Sequence, residues 1–513
     1  MIPWIADFFR FWWSLFYWNA AKTLFRRRIV KRCPCQAPSD SGRARETRCE
    51  ACVTWNRPAR FKRVCPLLVD TPDGLLCSVD AADVRPFWGL SAAWAGGALA
   101  ACYVAAVLFA FVGLRLVGYP VGIVNLAWPG RWHRLNEARS EYYFEKGTAG
   151  FARGDLRTAG MSLYLAYQLD PKRYDVGLML GEIATLSMPD RADGVYAMLM
   201  TQHPRQASQT AQAWMRSALE RGNFSALRAI ALERLKNGAA PQAPWLHALL
   251  FATRQLDDLR TIRDLASTKS GARWHTLLRT ETDLRDGRRD RALAALEETW
   301  YPIDSYNAYY QTHELLALGH PTEALITLAA YQSVLPGEEQ SSVRLAALKL
   351  LSSPADWRTQ TQGMLAHTTV SPGAVEFLAG YLFSHPDATL LAEVSDWLRK
   401  KPLPTDDGGI RAYLALYFAS GACGDKATMD WIATVLRTQS SNRYYFLETV
   451  KRYFLDPNSR IRPSDFLTLV PLPLEMVYAV WQRENALARN RASRPGHSPA
   501  GSGGSLNAAD ARP

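Results

Sequence analysis

The stretch PFWGLSAAWAGGALAACYVAAVLFAFVGLRLVGYPVGIVNLAWPG, residues 86–130, constrains this chain more than any other feature. Arg115 is its only formal charge. A hydrocarbon core of about 30 Å takes about 20 consecutive apolar residues in helical form. Residues 90–114 meet that length without one charged side chain. A buried helix of a soluble core rarely runs so long, so residues 87–130 are expected to hold a transmembrane helix. Trp88, Tyr119 and Trp128 are placed to act as interfacial aromatics. Ala95, Gly96, Gly97 and Ala98 are small enough for close helix contact. Residues 115–130 carry Gly118 and Pro120 and read either as interfacial or as a re-entrant or second short segment. One span is the simpler arrangement.

The chain begins MIPWIADFFRFWWSLFYWNAAKTLFRRRIVKR. Its basic cluster follows the apolar stretch, the reverse of a secretory signal. Asp7 and Arg10 would make a clean span costly, so residues 1–28 read as an aromatic interfacial helix, a first span being the alternative. Arg26, Arg27, Arg28, Lys31 and Arg32 would then lie near anionic lipid. The net charge is +12, and residues 1–87 hold 15 Lys and Arg against 8 Asp and Glu. No nucleic-acid-binding motif accompanies these charges, which favours a membrane surface as the partner and leaves no nucleic acid expected. Basic residues prefer the cytosolic side. A single-pass protein, in a bacterial inner membrane, with its N-terminal module in the cytoplasm is the expectation. Arg131, Arg134 and Arg139 after the apolar run pull the other way, so the side of the C-terminal part stays open. A hairpin at 86–130 would put both parts in the cytosol.

Six of the eight cysteines fall at Cys33, Cys35, Cys49, Cys52, Cys65 and Cys77. Cys49 and Cys52 have the C-x-x-C spacing with which two thiolates from one tight turn reach one tetrahedral ion. Cys33 and Cys35 form a tighter bite. Cys65 and Cys77 flank PLLVDTPDGLL, which reads as a hairpin that would bring both side by side. Residues 29–86 have little core of their own, so a structural zinc held by four of the six would help them fold. Three disulfides, or free thiols, are the alternatives. A redox dithiol at Cys49 and Cys52 lacks the strand-then-helix setting of a thioredoxin motif. Cys102 and Cys423 read as ordinary buried cysteines.

Residues 131–488 are helical by period, with short helices and turns carrying Gly, Asp or Pro. In EYYFEKGTAGFARGDLRTAGMSLYLAYQLDP, residues 141–171, a large residue at Tyr143 is followed by Gly147, the turn Gly154-Asp155, Ala159, Ala166 and Pro171. This stretch resembles a tetratricopeptide repeat. The resemblance implies that Gly147 and Ala159 let two helices approach closely, that Ala166 leaves room for the next repeat, and that Pro171 ends the second helix. Gly150 stands where the family usually has a large residue, and Phe151 is expected to take its place. Weaker copies centre on Gly181, on Gly287 with Ala292, and on Gly319 with Ala324 and Pro336. Residues 207–270 and 340–488 rest mainly on helical period.

The fold class expected is mainly α: an α-solenoid of repeat-like helix pairs, preceded by a transmembrane helix and a small cysteine-rich module. Residues 489–513, rich in Gly, Ser, Pro and Ala, read as a disordered tail. His313 and His320 are seven residues apart, where a zinc-protease helix needs four, so both read as structural. No phosphate loop, dinucleotide fingerprint or nucleophile elbow occurs. A non-enzymatic, membrane-anchored scaffold binding a protein or peptide ligand in the solenoid groove is the reading. The set of parts is similar to that of the lipopolysaccharide-assembly adaptors, in which the metal module is C-terminal, not ahead of the span. The rivals are a thiol-based sensor or enzyme using Cys49 and Cys52, and a membrane-tethered nucleic-acid binder.

Overall fold

The computed structural model describes residues 88–301, 303–367, 371–439 and 444–492, two strands, and scattered positions between 9 and 31. The chain is mainly helical and divides into two compact units, residues 1–142 and 143–513.

In the first unit, Phe9, Trp13, Phe16 and Tyr17 are helical and exposed. Strands β1 (Leu68–Thr71) and β2 (Gly74–Cys77) form an antiparallel hairpin. Cys33, Cys35, Cys49, Cys52 and Cys65 lie outside the described residues, as does the 493–513 tail. The register sets Cys77 across from Leu68. Strand pairing advances one residue at a time, so a two-residue turn after Thr71 dictates that partner.

Helix α1 (Trp88–Val117) is 30 residues long. Its stretch Ala95–Val117 is apolar and long enough to cross a membrane, and none of it is buried. Apolar side chains point to every side, so the helix has no single face to bury against a soluble core. Leu99, Phe109 and Leu116 are 72%, 84% and 83% exposed. Cys102 is exposed too, against the expectation of a buried thiol, because no other described segment covers that face.

The helix stops at Gly118, whose φ of +99° is left-handed. The chain then doubles back. After extended residues comes the short α2 (Ile123–Ala127), and Tyr103 Oη donates to the Ala127 carbonyl at 2.6 Å. Residues 118–127 thus fold back beside α1, and among the described residues no second helix is long and apolar enough to cross a membrane. A 3-10 turn, Pro129–Arg131, leads into α3 (His133–Ala152). The ring of Tyr142 returns to meet Tyr119 edge-on at 4.9 Å.

The second unit continues with α4 (Leu156–Leu169), α5 (Tyr174–Ser187), α6 (Pro189–Gln202), α7 (Ala207–Arg221), α8 (Phe224–Lys236), α9 (Ala243–Leu256) and α10 (Leu259–Ala266). Next come α11 (His275–Arg285), α12 (Arg289–Leu296), α13 (Ser305–Leu318), α14 (Pro321–Ala330), α15 (Gly337–Leu350) and α16 (Pro354–His367). The last are α17 (Pro372–Ser384), α18 (Ala388–Lys400), α19 (Asp407–Ala422), α20 (Lys426–Gln439), α21 (Phe446–Leu455) and α22 (Leu474–Ala492). From α4 to α16 each helix packs on the next.

The turns within pairs share a device. Gly154 adopts a left-handed φ of +77°, and Asp155 then caps α4 by accepting from the Thr158 amide. Asn223 caps α8 and Asp258 caps α10 after left-handed Gly222 and Asp257. One residue closes the first helix and the next satisfies free amides of the second, which fixes a tight antiparallel pair.

Small residues set the approach. A Cβ on Gly147 would sit 2.8 Å from Leu163 Cγ, and one on Gly181 would sit 2.7 Å from the Tyr196 ring. Ala159 and Ala166 are fully buried. Phe151 does not replace the residue at 150. A Cβ there would be 3.2 Å from the Ala159 backbone, so no large side chain fits, and Phe151 points outward at 44% exposure.

Candidate functional site

The face shared by α7, α8, α9 and α17 is covered by the chain's own last helix. Residues of α22 read LEMVYAVWQRENALARNRA. Met476, Val477, Tyr478, Val480 and Trp481 are buried. Each large apolar side chain removed from water stabilises by roughly 2 kcal/mol. Trp481 Nε1 donates to the Leu219 carbonyl at 2.8 Å, and its ring meets Phe224 edge-on at 5.1 Å. Gly222 serves twice: its φ is +70°, and any Cβ would lie 2.6 Å from the Trp481 ring. Just before the helix, the Leu472 carbonyl accepts from Arg216 Nη2 at 2.8 Å. At its far end Asn485 donates to Gln255, and Glu484 accepts from Tyr453 Oη at 2.9 Å.

Under α22 lies an aromatic cluster around His247. Its ring is edge-on to Tyr478 at 4.5 Å, to Tyr309 at 5.7 Å and to Tyr306 at 5.9 Å. Burial holds the His247 pKa down to about 4, with nearby Arg254 and His313 pushing the same way. Beside the cluster, Arg254 bridges two carboxylates, Glu281 and Glu314. Glu281 is fully buried and also accepts from Tyr310 Oη at 2.7 Å. Burial alone would raise the Glu281 pKa, but the guanidinium of Arg254 outweighs it and holds the carboxyl below its usual range. Three donors, two from Arg254 and one from Tyr310, hold this buried carboxylate ionised and in place.

The residues singled out from sequence fall elsewhere. Cys77 ends β2, and the other five proposed metal ligands lie outside the described residues. Among the described residues no three His, Cys, Asp or Glu side chains are grouped to hold a metal ion. His313 pairs with Glu339 at 2.5 Å and stacks on Tyr309 at 4.2 Å, whereas His320 precedes α14 near Glu323 at 3.8 Å. The two do not converge. Cys423 is half-buried, and burial raises its pKa.

One surface stands open. On α4, Met161, Tyr164 and Leu165 are 66%, 53% and 41% exposed and form a stripe with Arg157 and Gln168. Their i, i+3, i+4 spacing puts them on one helix face. The opposite face, with Ala159, Leu163 and Ala166, is fully buried in the core of the first two pairs.

No protein-family model and no curated protein matches the chain.

The histidines make stability pH-dependent. His247 and His385 both have pKa values lowered to about 4, chiefly by burial. An unfolded His titrates near 6.5, so the unfolded chain binds more protons below that value. The stability both groups contribute is complete above pH ~6.5 and drains away as pH falls toward 4. Thermal melts of the full chain should show the midpoint dropping across that window, and His247→Phe should make the drop shallower. A wild-type midpoint that stays level from pH ~6.5 to ~4.5 would contradict the buried, neutral imidazole.

Proposed function

We propose that this chain is a non-enzymatic, membrane-anchored scaffold whose helical array recruits a partner protein, as part of a cell-envelope or export assembly. The observation that carries the reading is α1. An unburied helix of this length with apolar side chains on all sides needs a bilayer as its solvent. An α-solenoid of tetratricopeptide-like pairs then follows from the close contacts at Gly147 and Gly181, the buried Ala159 and Ala166, and the recurring left-handed turns. Such arrays bind through surface, not through chemistry. The face shared by α7, α8, α9 and α17 is covered by α22. We therefore place the partner on the α4 stripe, as an amphipathic helix with acidic flanks. Met161, Tyr164 and Leu165 offer the apolar seam, and exposed Arg153, Arg157 and Lys172 offer matching charge.

The six-cysteine segment is proposed as a zinc-stapled module on the cytoplasmic side of a single span in the inner membrane. Metal analysis of the full purified chain should return about one zinc or more per chain, as expected for a four-thiolate site. Chelation should expose the thiols to a maleimide. Three disulfides and no metal would overturn the zinc module and reverse the orientation argued from it.

The recruitment reading is tested in intact membranes with a photo-crosslinking side chain at position 164. One discrete adduct is expected, lost when Arg157→Glu is added and absent when the probe sits at Arg399. Equal labelling at both positions, or no adduct at 164, would contradict the assignment.

A further inference from the structure

The fold-back after α1 says where the bilayer boundary lies and what sits at it. Tyr103 Oη reaches the Ala127 carbonyl. Tyr103 and Val117 are 14 residues apart on one helix, or about 21 Å along its axis. Residues 118–127 must therefore run back beside the second half of α1. The start of α3 then retraces that distance, because Tyr142 meets Tyr119 at 4.9 Å and would lie 3.1 Å from a Cβ on Gly118. Trp132 Nε1 donates to the Leu126 carbonyl at 3.1 Å and pins the bend.

This arrangement sets Arg131, His133, Arg134, Glu137 and Arg139, all exposed, alongside the last half of α1. A hydrocarbon layer drawn from Ala95 to Val117 would engulf them. A layer drawn from Trp88 to Phe109 spans about 32 Å at 1.5 Å per residue, close to the thickness of a bilayer core; its edge falls past the Tyr103–Ala127 contact and short of Tyr142, so Arg139, three residues before Tyr142, lies outside it. Exposed Trp132 then sits near the edge at the Phe109 side. Arg115 and Arg139 fall in the headgroup layer. Neither joins an ion pair among the described residues; Arg115 lies over the Phe111 ring at 5.7 Å.

At that level the fold-back lines an open cleft of about 400 Å³. Leu114, Val121, Trp132 and Leu135 form apolar walls, and Asn136 and Arg139 form the polar rim. An apolar slot opening beside the hydrocarbon, rimmed by one amide and one unpaired guanidinium, matches a molecule with an acyl chain and an anionic phosphate.

We propose that the cleft between Trp132 and Arg139 holds the headgroup of an anionic phospholipid, with the hydrocarbon boundary at Phe109. Arg139 pairs with the phosphate, Asn136 donates a hydrogen bond to it, and Trp132 covers the glycerol end. The proposal rests on the membrane reading of α1, so its test separates the two.

The full chain is reconstituted in vesicles of phosphatidylcholine with a minor share of phosphatidylglycerol. Cys102 should be shielded from a water-soluble maleimide, and Leu116→Cys should react. A reactive Cys102 would overturn the membrane reading itself. A shielded Cys102 with an equally shielded Leu116→Cys would overturn only the boundary. Native mass spectrometry of the extracted chain then counts retained lipid. One phosphatidylglycerol is expected, preferred over phosphatidylcholine by roughly tenfold; a preference lowered about fivefold by Arg139→Ala and kept by Arg139→Lys would follow from one headgroup contact. Equal retention of the two lipids, an unchanged preference in Arg139→Ala, or a co-purifying peptide lost on Arg139→Ala would overturn the site.

Discussion

The contact of Trp481 with the α7–α8 turn is the interaction on which the second unit depends most. A stack of helix pairs makes contacts only between neighbours, so it can open anywhere along its length. Here the Leu219 carbonyl accepts from an indole 262 residues further on, and Arg216 reaches a carbonyl 256 residues further on. Closing so long a loop costs little more than closing a short one, because the entropy grows only with the logarithm of length. The burial of Val477, Tyr478, Val480 and Trp481 more than offsets it. The result is a unit whose middle pairs share one core, from Ala211 to Trp481, while the first two pairs keep a core of their own, from Ala159 to Leu199.

That division bears on function. The pairs under α22 are committed to the chain itself. Their interior carries His247, held neutral, and Glu281, a charge that would be costly to bury unless paired. Glu281 meets this demand with Arg254 and Tyr310. Displacing α22 would bare the cluster around His247, so a peptide competing for this face meets a barrier. Among the described residues no helix covers the first two pairs in this way, and the α4 stripe is exposed.

Much of this was legible in the residues. The helical period, the turn at Gly154-Asp155 and the small residues at 147, 159 and 166 gave the pair geometry, because each follows from local backbone and steric rules. The uncharged run at 90–114 announced α1. What was not legible depends on distant chain. Nothing local in LEMVYAVW says that Tyr478 will lie on His247; a buried-looking aromatic pair at i and i+3 near the end of a repeat array was the only signal. Phe151 was misplaced for the converse reason, since the gap at Gly150 is closed by the Ala159 backbone. The pairing of Cys77 with Leu68 turned on turn length, which composition does not disclose. Cys102 lies in the apolar run, where a buried thiol is the usual reading; it is exposed because none of the described segments packs on that face.

The proposed recruitment at the first pairs rests on α22 being seated on α7, α9 and α17. Hydrogen exchange on the full chain in membranes tests this directly. The account predicts that amides of 476–484 exchange as slowly as those of 211–219 and 246–252, since all belong to one core. If 476–484 exchanges as freely as an unfolded segment while the other two stay protected, α22 is not seated and the groove is open.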